Sequence, residues 1–399
     1  MIRSDFPILR PGFHYLDSAA TTLKPRVVVD AELSYYTEYS ANVHRGLYPI
    51  AERATQAYEG ARDKVATFLG TISQSIVFTK SATHASNMLA TALEPLISKK
   101  SSIITCVAEH HSSFLPWRHL SKKRNIPFHV LPISEAGMIE ITKIDELGID
   151  PKEHSIWMFN QISNVTGVCQ DLPHVLRTIR AIFPKAIVII DACQSVSHIP
   201  VRVTDIDCDA LFFSGHKVFG PTGVGVLWLQ EELHDRLAIP EYGGEMVEAV
   251  VDHTPLVQKM PHRLEAGTPP IAQAIGLGTA LEWLSKQDFS KIQKHNEYLA
   301  KELVRELSTI RSIRVLFPHA AHDSGIITCH TTDVHPHDIA ADLGSKDIAV
   351  RAGYQCAQPL HEYLNIGATF RISPHLYNTV DDIRAALTAL EEAVALYRR

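Results

Sequence analysis

Short runs of β-branched and apolar residues, separated by helical patterns, set the texture of the first two-thirds of the chain. SIVFTK (75–80), SSIITCVAE (101–109), PFHVLPI (127–133), SIWMFNQ (155–161), AIVIIDA (186–192), ALFFSG (210–215) and VGVLWLQ (224–230) read as strands. Several are apolar at nearly every position instead of alternating. Strands hidden on both faces belong in a largely parallel sheet covered by helices on each side. The expected fold class is therefore α/β, with a mostly parallel seven-stranded sheet.

The pattern changes after about residue 285. In KIQKHNEYLAKELVRELSTI, the residues Ile292, Leu299, Leu303, Leu307 and Ile310 fall on one helical stripe. In NTVDDIRAALTALEEAVALYRR, Ile383, Leu387, Leu390, Val394 and Tyr397 do the same, and Thr379 with Asp382 supplies a capping signal. Strand-like SIRVLF (312–317) and GIITCHT (325–331) lie between them. At 399 residues the chain exceeds the size at which one core usually stops growing. The reading is a large domain over 16–285 and a smaller α+β domain over 286–399, with the segment 1–15 packing on the latter.

Composition narrows the function classes. Apolar residues make up 45% and charged residues 21%, as in an ordinary soluble protein, and the net charge of −6 offers no basic footprint for nucleic acid or a membrane surface. No segment approaches the roughly 20 uninterrupted apolar residues that span a bilayer. Asp5, Pro7, Arg10 and Pro11 interrupt what would be the apolar core of a secretory leader, so a cytoplasmic protein is expected. The six cysteines are scattered without a C-x-x-C pair, which argues against a disulfide framework or a thiolate zinc site. No metal is expected.

The chemistry concentrates around SGHKVFGPTGVG (214–225). Its glycines resemble a nucleotide loop, but such a loop opens a helix, and here a strand follows. Lys217 instead lies just past the end of a buried strand, where open α/β sheets bind ligands. Ser214 and His216 beside it suit an anion. A lysine in a partly desolvated pocket can form a Schiff base, which points to pyridoxal phosphate. The other parts that cofactor needs lie at further strand ends. Asp191 ends AIVIID and suits a protonated pyridine nitrogen. Ser81 and Thr83 open a helix after SIVFT and suit a phosphate. His110 and His111 follow SSIITCVAE, and a histidine there suits the face of the ring. Each residue alone has an ordinary structural reading as a surface lysine, a turn aspartate or a helix cap. The weight lies in their sharing successive strand ends.

The blocks YLDSAATT, ANVHRGLYPIAERATQAYEGARDKVATFLG, AEHHSSFLPW, DACQSV, FFSGHKVFGPTGVGVLW, YGGEM, RLEAGTPPIAQAIGLGTALEWL and RAGYQCAQPL resemble the group II cysteine desulfurases. These are the SufS-like members of the class V aminotransferase family, also known as selenocysteine lyases. The resemblance runs from about residue 5 to the carboxyl terminus. It implies the fold-type I pyridoxal phosphate architecture in a homodimer with active sites at the subunit interface. It implies Lys217 as the Schiff-base lysine, Asp191 and Gln194 at the pyridine nitrogen and ring hydroxyl, and His110 stacked on the ring. Thr83, Ser214 and His216 would hold the phosphate, and Thr268 would reach the phosphate of the partner subunit. Asn164 and Arg371 would take the substrate carboxylate, with Arg351 and His44 also on the substrate side.

Cys356, in a polar, turn-prone run, would be the nucleophile that takes sulfur from L-cysteine and leaves L-alanine. A thiolate is needed for this, and Arg351 nearby favours one. L-selenocysteine would be a second substrate, and a sulfur-acceptor protein of the SufE or SufU type a partner, with iron–sulfur cluster assembly as the destination. Four features depart from the family pattern. Tyr354-Gln355 stands where a histidine pair often precedes the cysteine, Ala82 replaces a threonine, His84 replaces a glutamate, and RISPHLYNT (371–379) looks more like other class V members. They leave open a second reading, an epimerase, another C–S lyase or an aminotransferase-like enzyme in which Cys356 is not the sulfur acceptor.

Overall fold

The computed structural model describes residues 2–320 and 324–397. Met1 of the amino-terminal segment and Arg398 and Arg399 of the expected small domain lie outside the described residues. The chain runs β1 (His14–Tyr15), α1 (Arg26–Glu38), α2 (Pro49–Leu69), β2 (Ile76–Thr79), α3 (Ala82–Ala92), β3 (Ser102–Cys106), α4 (His111–Arg124), β4 (Phe128–Leu131), β5 (Ser155–Asn160), α5 (Leu172–Ile182), β6 (Ala186–Asp191), α6 (Ser195–His198), β7 (Ala210–Ser214) and β8 (Gly225–Leu229). The hairpin β9 (Val247–Val251) and β10 (Thr254–Val257) leads into α7 (Ile271–Ser285) and α8 (Phe289–Leu307). Then come β11 (Ile313–Leu316), β12 (Ile327–Thr331), α9 (Pro336–Ser345), β13 (Ile348–Ala349), β14 (Arg351–Gly353), α10 (Gln358–Tyr363), β15 (Thr369–Ile372) and α11 (Val380–Tyr397).

All seven strands expected before residue 230 join one sheet, in the order β2-β8-β7-β6-β5-β3-β4. From β7 to β4 every pairing is parallel, and only β8 runs against its neighbours β7 and β2. β3, β5, β6, β7 and β8 are buried at every position, which is why their sequences carry no alternation. β4 is an edge strand and buries only Leu131. Because β8 is antiparallel to both β2 and β7, the carboxyl ends of β2, β3, β5, β6 and β7 all open on one side of the sheet.

A second sheet, β11-β12-β15-β14, is antiparallel. Leu299, Leu303 and Leu307 of α8 and Ile383, Leu390 and Val394 of α11 build its core. The apolar stripe read from sequence needs correction at its margins. Ile310 and Leu387 are only partly buried and Tyr397 is exposed, while Ala386, Ala389 and Ala393 fill the inner face of α11. Small residues fit there because α11 packs directly against α9. The capping signal does form. The Thr379 N–H donates to Asp382 Oδ2 (2.8 Å), and the Asp382 N–H returns to Thr379 Oγ1 (3.4 Å). Arg3 and His14 also bond Asp382, at 2.8 and 2.7 Å, while Phe6 packs on Phe219, Trp283 and Tyr377 in the large core.

One buried ion pair ties α2 to the sheet and to the segment before α7. Arg62, 1% exposed, donates to Glu265 at 2.6 and 2.9 Å, to Glu59 and to the Ile76 carbonyl. Glu265 accepts the Phe78 N–H as well (2.6 Å). Burial alone would raise the Glu265 pKa, but the charge of Arg62 and these hydrogen bonds bring it from 4.5 down to about 2. A depressed carboxylate pKa stabilises the fold above its unfolded value and ceases to do so as pH falls through the folded one. Glu265→Gln, which strands the Arg62 charge, should lower the unfolding free energy by about 3–5 kcal/mol in urea titrations at pH 7. The wild-type advantage should shrink as pH is taken from 4.5 toward 2.

Candidate active site

A cleft of about 480 Å³ lies between the carboxyl ends of the large sheet and the β14 edge of the small one. Lys217, Cys356, His110, Asp191, Gln194, Thr83, Ser214, His216, Asn164, Arg371 and Arg351 all line it. Thr268 and His44 do not. Both are exposed, and His44 bonds Glu59 (2.9 Å) beside Glu245 and His262.

Lys217 ends the single turn that follows β7, and the amino-terminal SAATT block holds that turn in place. The His216 carbonyl accepts from the Thr22 N–H, Thr21 Oγ1 and Lys24 Nζ, each at 3.0 Å, and Thr22 Oγ1 accepts the Phe219 N–H (2.7 Å). The glycine pattern has a steric cause. A Cβ on Gly225 would sit 2.6 Å from the Ser81 carbonyl carbon, so only glycine lets β8 start beside α3. Ser81 caps α3 by accepting the His84 N–H (3.2 Å), and the Ala82 N–H donates to Ser214 Oγ (2.9 Å). His84 Nδ1 accepts the Lys80 N–H (3.1 Å), so this departure from the family pattern closes the turn before α3.

Asp191 ends β6 and is 5% exposed. Ser113 Oγ donates to its Oδ2 (2.5 Å) and the Cys193 N–H to its Oδ1 (2.9 Å). Gln194 Nε2 donates to the Ala19 carbonyl (2.8 Å). His110 caps α4, its Nδ1 accepting the Ser112 N–H (3.1 Å). Burial, and next the Lys217 ammonium, lower the His110 pKa to about 4. The same two causes, in the same order, bring His216 to about 4. Both imidazoles are neutral at pH 7. Glu109 lies beneath the cleft with no exposed surface. Its Oε1 accepts the Asn160 N–H and Nδ2, both at 2.9 Å, and burial holds its pKa well above the usual carboxylate range.

The opposite wall belongs to the small sheet, where Arg351 on β14 pairs in register with Arg371 on β15. Asp17 bridges them, at 2.8 Å from Arg351 Nη2 and 3.3 Å from Arg371 Nη2. Arg371, 2% exposed, also donates to the Asn164 carbonyl (2.9 Å), and its Nε finds no acceptor among the described residues. Cys356 is exposed at the rim of the cleft, in a turn held by Asn164 Nδ2 on the Gln355 carbonyl (2.7 Å). Asn160, Cys193, Ser113 and Asp17 belong to the site without a signal of their own in the sequence. All are polar or small and sit next to motifs that were read, but only their tertiary partners give them a place.

The chain matches the aminotransferase class-V family over residues 14–386. It is 39% identical to a probable cysteine desulfurase of Streptomyces coelicolor, over 98% of this chain and 96% of that protein. It is 33% identical to a cysteine desulfurase of Haloferax volcanii, over 99% and 97% of the two chains. Among solved structures it is similar to the S-sulfonic acid form of an Escherichia coli cysteine desulfurase, with a TM-score of 0.91 at 36% identity covering 99% and 98% of the chains. An apo cysteine desulfurase from Thermococcus onnurineus gives 0.92 at 33%, covering 99% and 97%.

The electrostatics of the cleft are open to direct measurement. In histidine-selective NMR titrations His110 should titrate near 4. In Lys217→Ala, which removes the neighbouring ammonium, the midpoint should move up toward the ordinary 6.5. An unchanged midpoint would mean that Lys217 does not act on His110.

Proposed function

The chain belongs to the aminotransferase class-V family, and from that premise we propose that it is a pyridoxal phosphate-dependent cysteine desulfurase in which Cys356 takes the sulfur. The observation that carries the reading is that one cleft holds both Lys217, at the end of β7, and Cys356, on the opposite rim.

The residues present fit the cofactor. A buried carboxylate with fixed hydrogen-bond donors, Asp191, suits a pyridinium nitrogen. The start of α3 borders the cleft with Ser81, Ala82 and Thr83, and its hydroxyls, with the Ser214 hydroxyl and the His216 ring, form a donor set for a phosphate at the positive end of the helix. The neutral His110 ring suits the face of an aromatic system. When bound, pyridoxal phosphate supplies an electron sink for the carbon next to the substrate amine.

The protein's own groups do the rest. Lys217 anchors the cofactor and, once displaced by the substrate amine, takes the α-proton on Nζ. Arg371, with its free Nε, and Asn164 receive the substrate carboxylate, and Asp17 keeps Arg371 oriented while leaving that edge open. Cys356 Sγ attacks as thiolate. It forms an S–S bond to the substrate sulfur as the substrate C–S bond breaks, and the carbon fragment, once protonated, leaves as alanine. L-selenocysteine fits the same steps. The sulfur then passes to an acceptor protein, with iron–sulfur cluster assembly as the destination.

A homodimer accounts for the residues outside the cleft. Leu47, 94% exposed, and Tyr242, 70% exposed, are large apolar side chains on the segments that carry or neighbour His44 and Thr268. The Arg45 guanidinium donates to the Val247 carbonyl (3.5 Å) and the Gly267 N–H to the Gly244 carbonyl (2.9 Å), which gathers these loops on one face. In the proposed dimer that face meets the partner, and His44 and Thr268 complete the partner's cleft.

The test is alanine and persulfide formation from L-cysteine by the purified, cofactor-loaded protein. Cys356→Ser should lose at least about 100-fold in alanine formation, and Lys217→Ala should lack the absorbance near roughly 420 nm that a lysine-anchored cofactor gives. Desulfuration by the serine variant at the wild-type rate would reject Cys356 as acceptor and favour another class V reaction.

A further inference from the structure

The Cys356 turn is backbone-strained. Gln355 (φ 51°) and Cys356 (φ 56°) adopt the left-handed conformation in succession, and neither is glycine. Such a pair persists only where its surroundings over-determine it. Besides Asn164, a second residue of the large domain restrains it. The His111 N–H donates to the Cys356 carbonyl (2.7 Å), and the Gln358 N–H donates to His111 Nε2 (3.2 Å). Gln358 opens α10, and the residue preceding it, Ala357, has no side chain with which to cap the helix. His111 thus supplies the missing cap from another element and grips the turn on both sides of Cys356. A backbone amide can only donate, so Nε2 must be unprotonated, and burial lowers the His111 pKa in the direction that favours this form.

We infer that His111 is a positioning residue for the sulfur-transfer step: its paired contacts hold the Cys356 turn in its strained form and fix the reach of Sγ into the cleft. His111 follows His110 directly, so the sulfur loop and the ring-facing histidine are carried by one rigid turn. The inference rests on the reading of Cys356 as the sulfur nucleophile. The contact belongs to neither the cofactor set nor the substrate set.

The test compares wild type, His111→Ala and His111→Gln as cofactor-loaded enzymes. Hydrogen exchange is followed by mass spectrometry on peptides spanning Arg351 to Tyr363, and kcat and KM are measured for alanine formation from L-cysteine. His111→Ala should exchange faster in this segment and lose about ten-fold in kcat with KM within about two-fold, since a misplaced nucleophile costs rate and not substrate binding. His111→Gln, whose Oε1 can accept the Gln358 N–H, should recover most of both. Cofactor absorbance in each variant reports that the remaining site is intact. Equal exchange in wild type and His111→Ala, or a glutamine variant no better than alanine, overturns the inference. Absence of alanine formation in wild type would instead reject the desulfurase reading, and the exchange comparison would still report on the turn.

Discussion

The walls of the cleft are hung on the turn from β3 into α4. Glu109 holds the end of β5 through Asn160, and His110 caps the helix and turns its ring into the cleft. His111 holds the Cys356 turn, and Ser113 holds Asp191. The arrangement follows from where the turn stands. It leaves β3, which lies beside β5, and β5 in turn lies beside β6, which ends at Asp191. A helix start also has N–H donors to spend. A buried carboxylate without partners would take up a proton instead of staying charged. Ser113 and the Cys193 N–H supply such partners for Asp191.

The two sheets divide the chemistry. The parallel sheet presents lysine, carboxylate, histidine and helix start at strand ends. The antiparallel sheet presents two arginines side by side and the cysteine turn just beyond β14. Two adjacent guanidinium groups repel, and Arg371 has lost nearly all contact with water. Asp17 resolves this. It comes from the amino-terminal segment, just after β1 pairs with β13, and its position is set by the small domain itself. Arg351 is therefore spoken for, its fork on Asp17, so its electrostatic pull on Cys356 is shared with a carboxylate.

The sequence made the sheet legible because its inner strands are apolar on both faces, and that texture has few other meanings. Lys217, Asp191 and His110 were legible because each directly follows such a strand. The β9–β10 hairpin escaped notice because it is not buried: Val250, Val251 and Leu256 are more than half exposed, so no core imposes a pattern. Ser113, Asn160 and Asp17 escaped for another reason. A serine, an asparagine and an aspartate have many local uses in turns and caps, and what distinguishes these three is a partner 78, 51 or 334 residues away. The alanines of α11 do not stand out in the sequence because an apolar stripe is marked by large side chains, whereas a close helix contact selects small ones.

The departures from the family pattern around Cys356 take on a different weight in this light. Tyr354-Gln355 replaces a histidine pair, yet the contacts that shape the turn run through main-chain atoms: the Gln355 and Cys356 carbonyls and the Gln358 N–H. Among the described residues the Gln355 side chain bonds the Arg351 carbonyl, at 3.5 Å, and the Tyr354 ring rests edge-on against His361. The position of Sγ thus depends less on the side chains at 354 and 355 than on the residues that grip the backbone, Asn164 and His111. The same reasoning applies at the phosphate end. Ala82 contributes through its N–H to Ser214, a bond that a threonine at this position would make equally well. The constraints on this site are set by main-chain geometry fixed from a distance, and the local motif records only part of them.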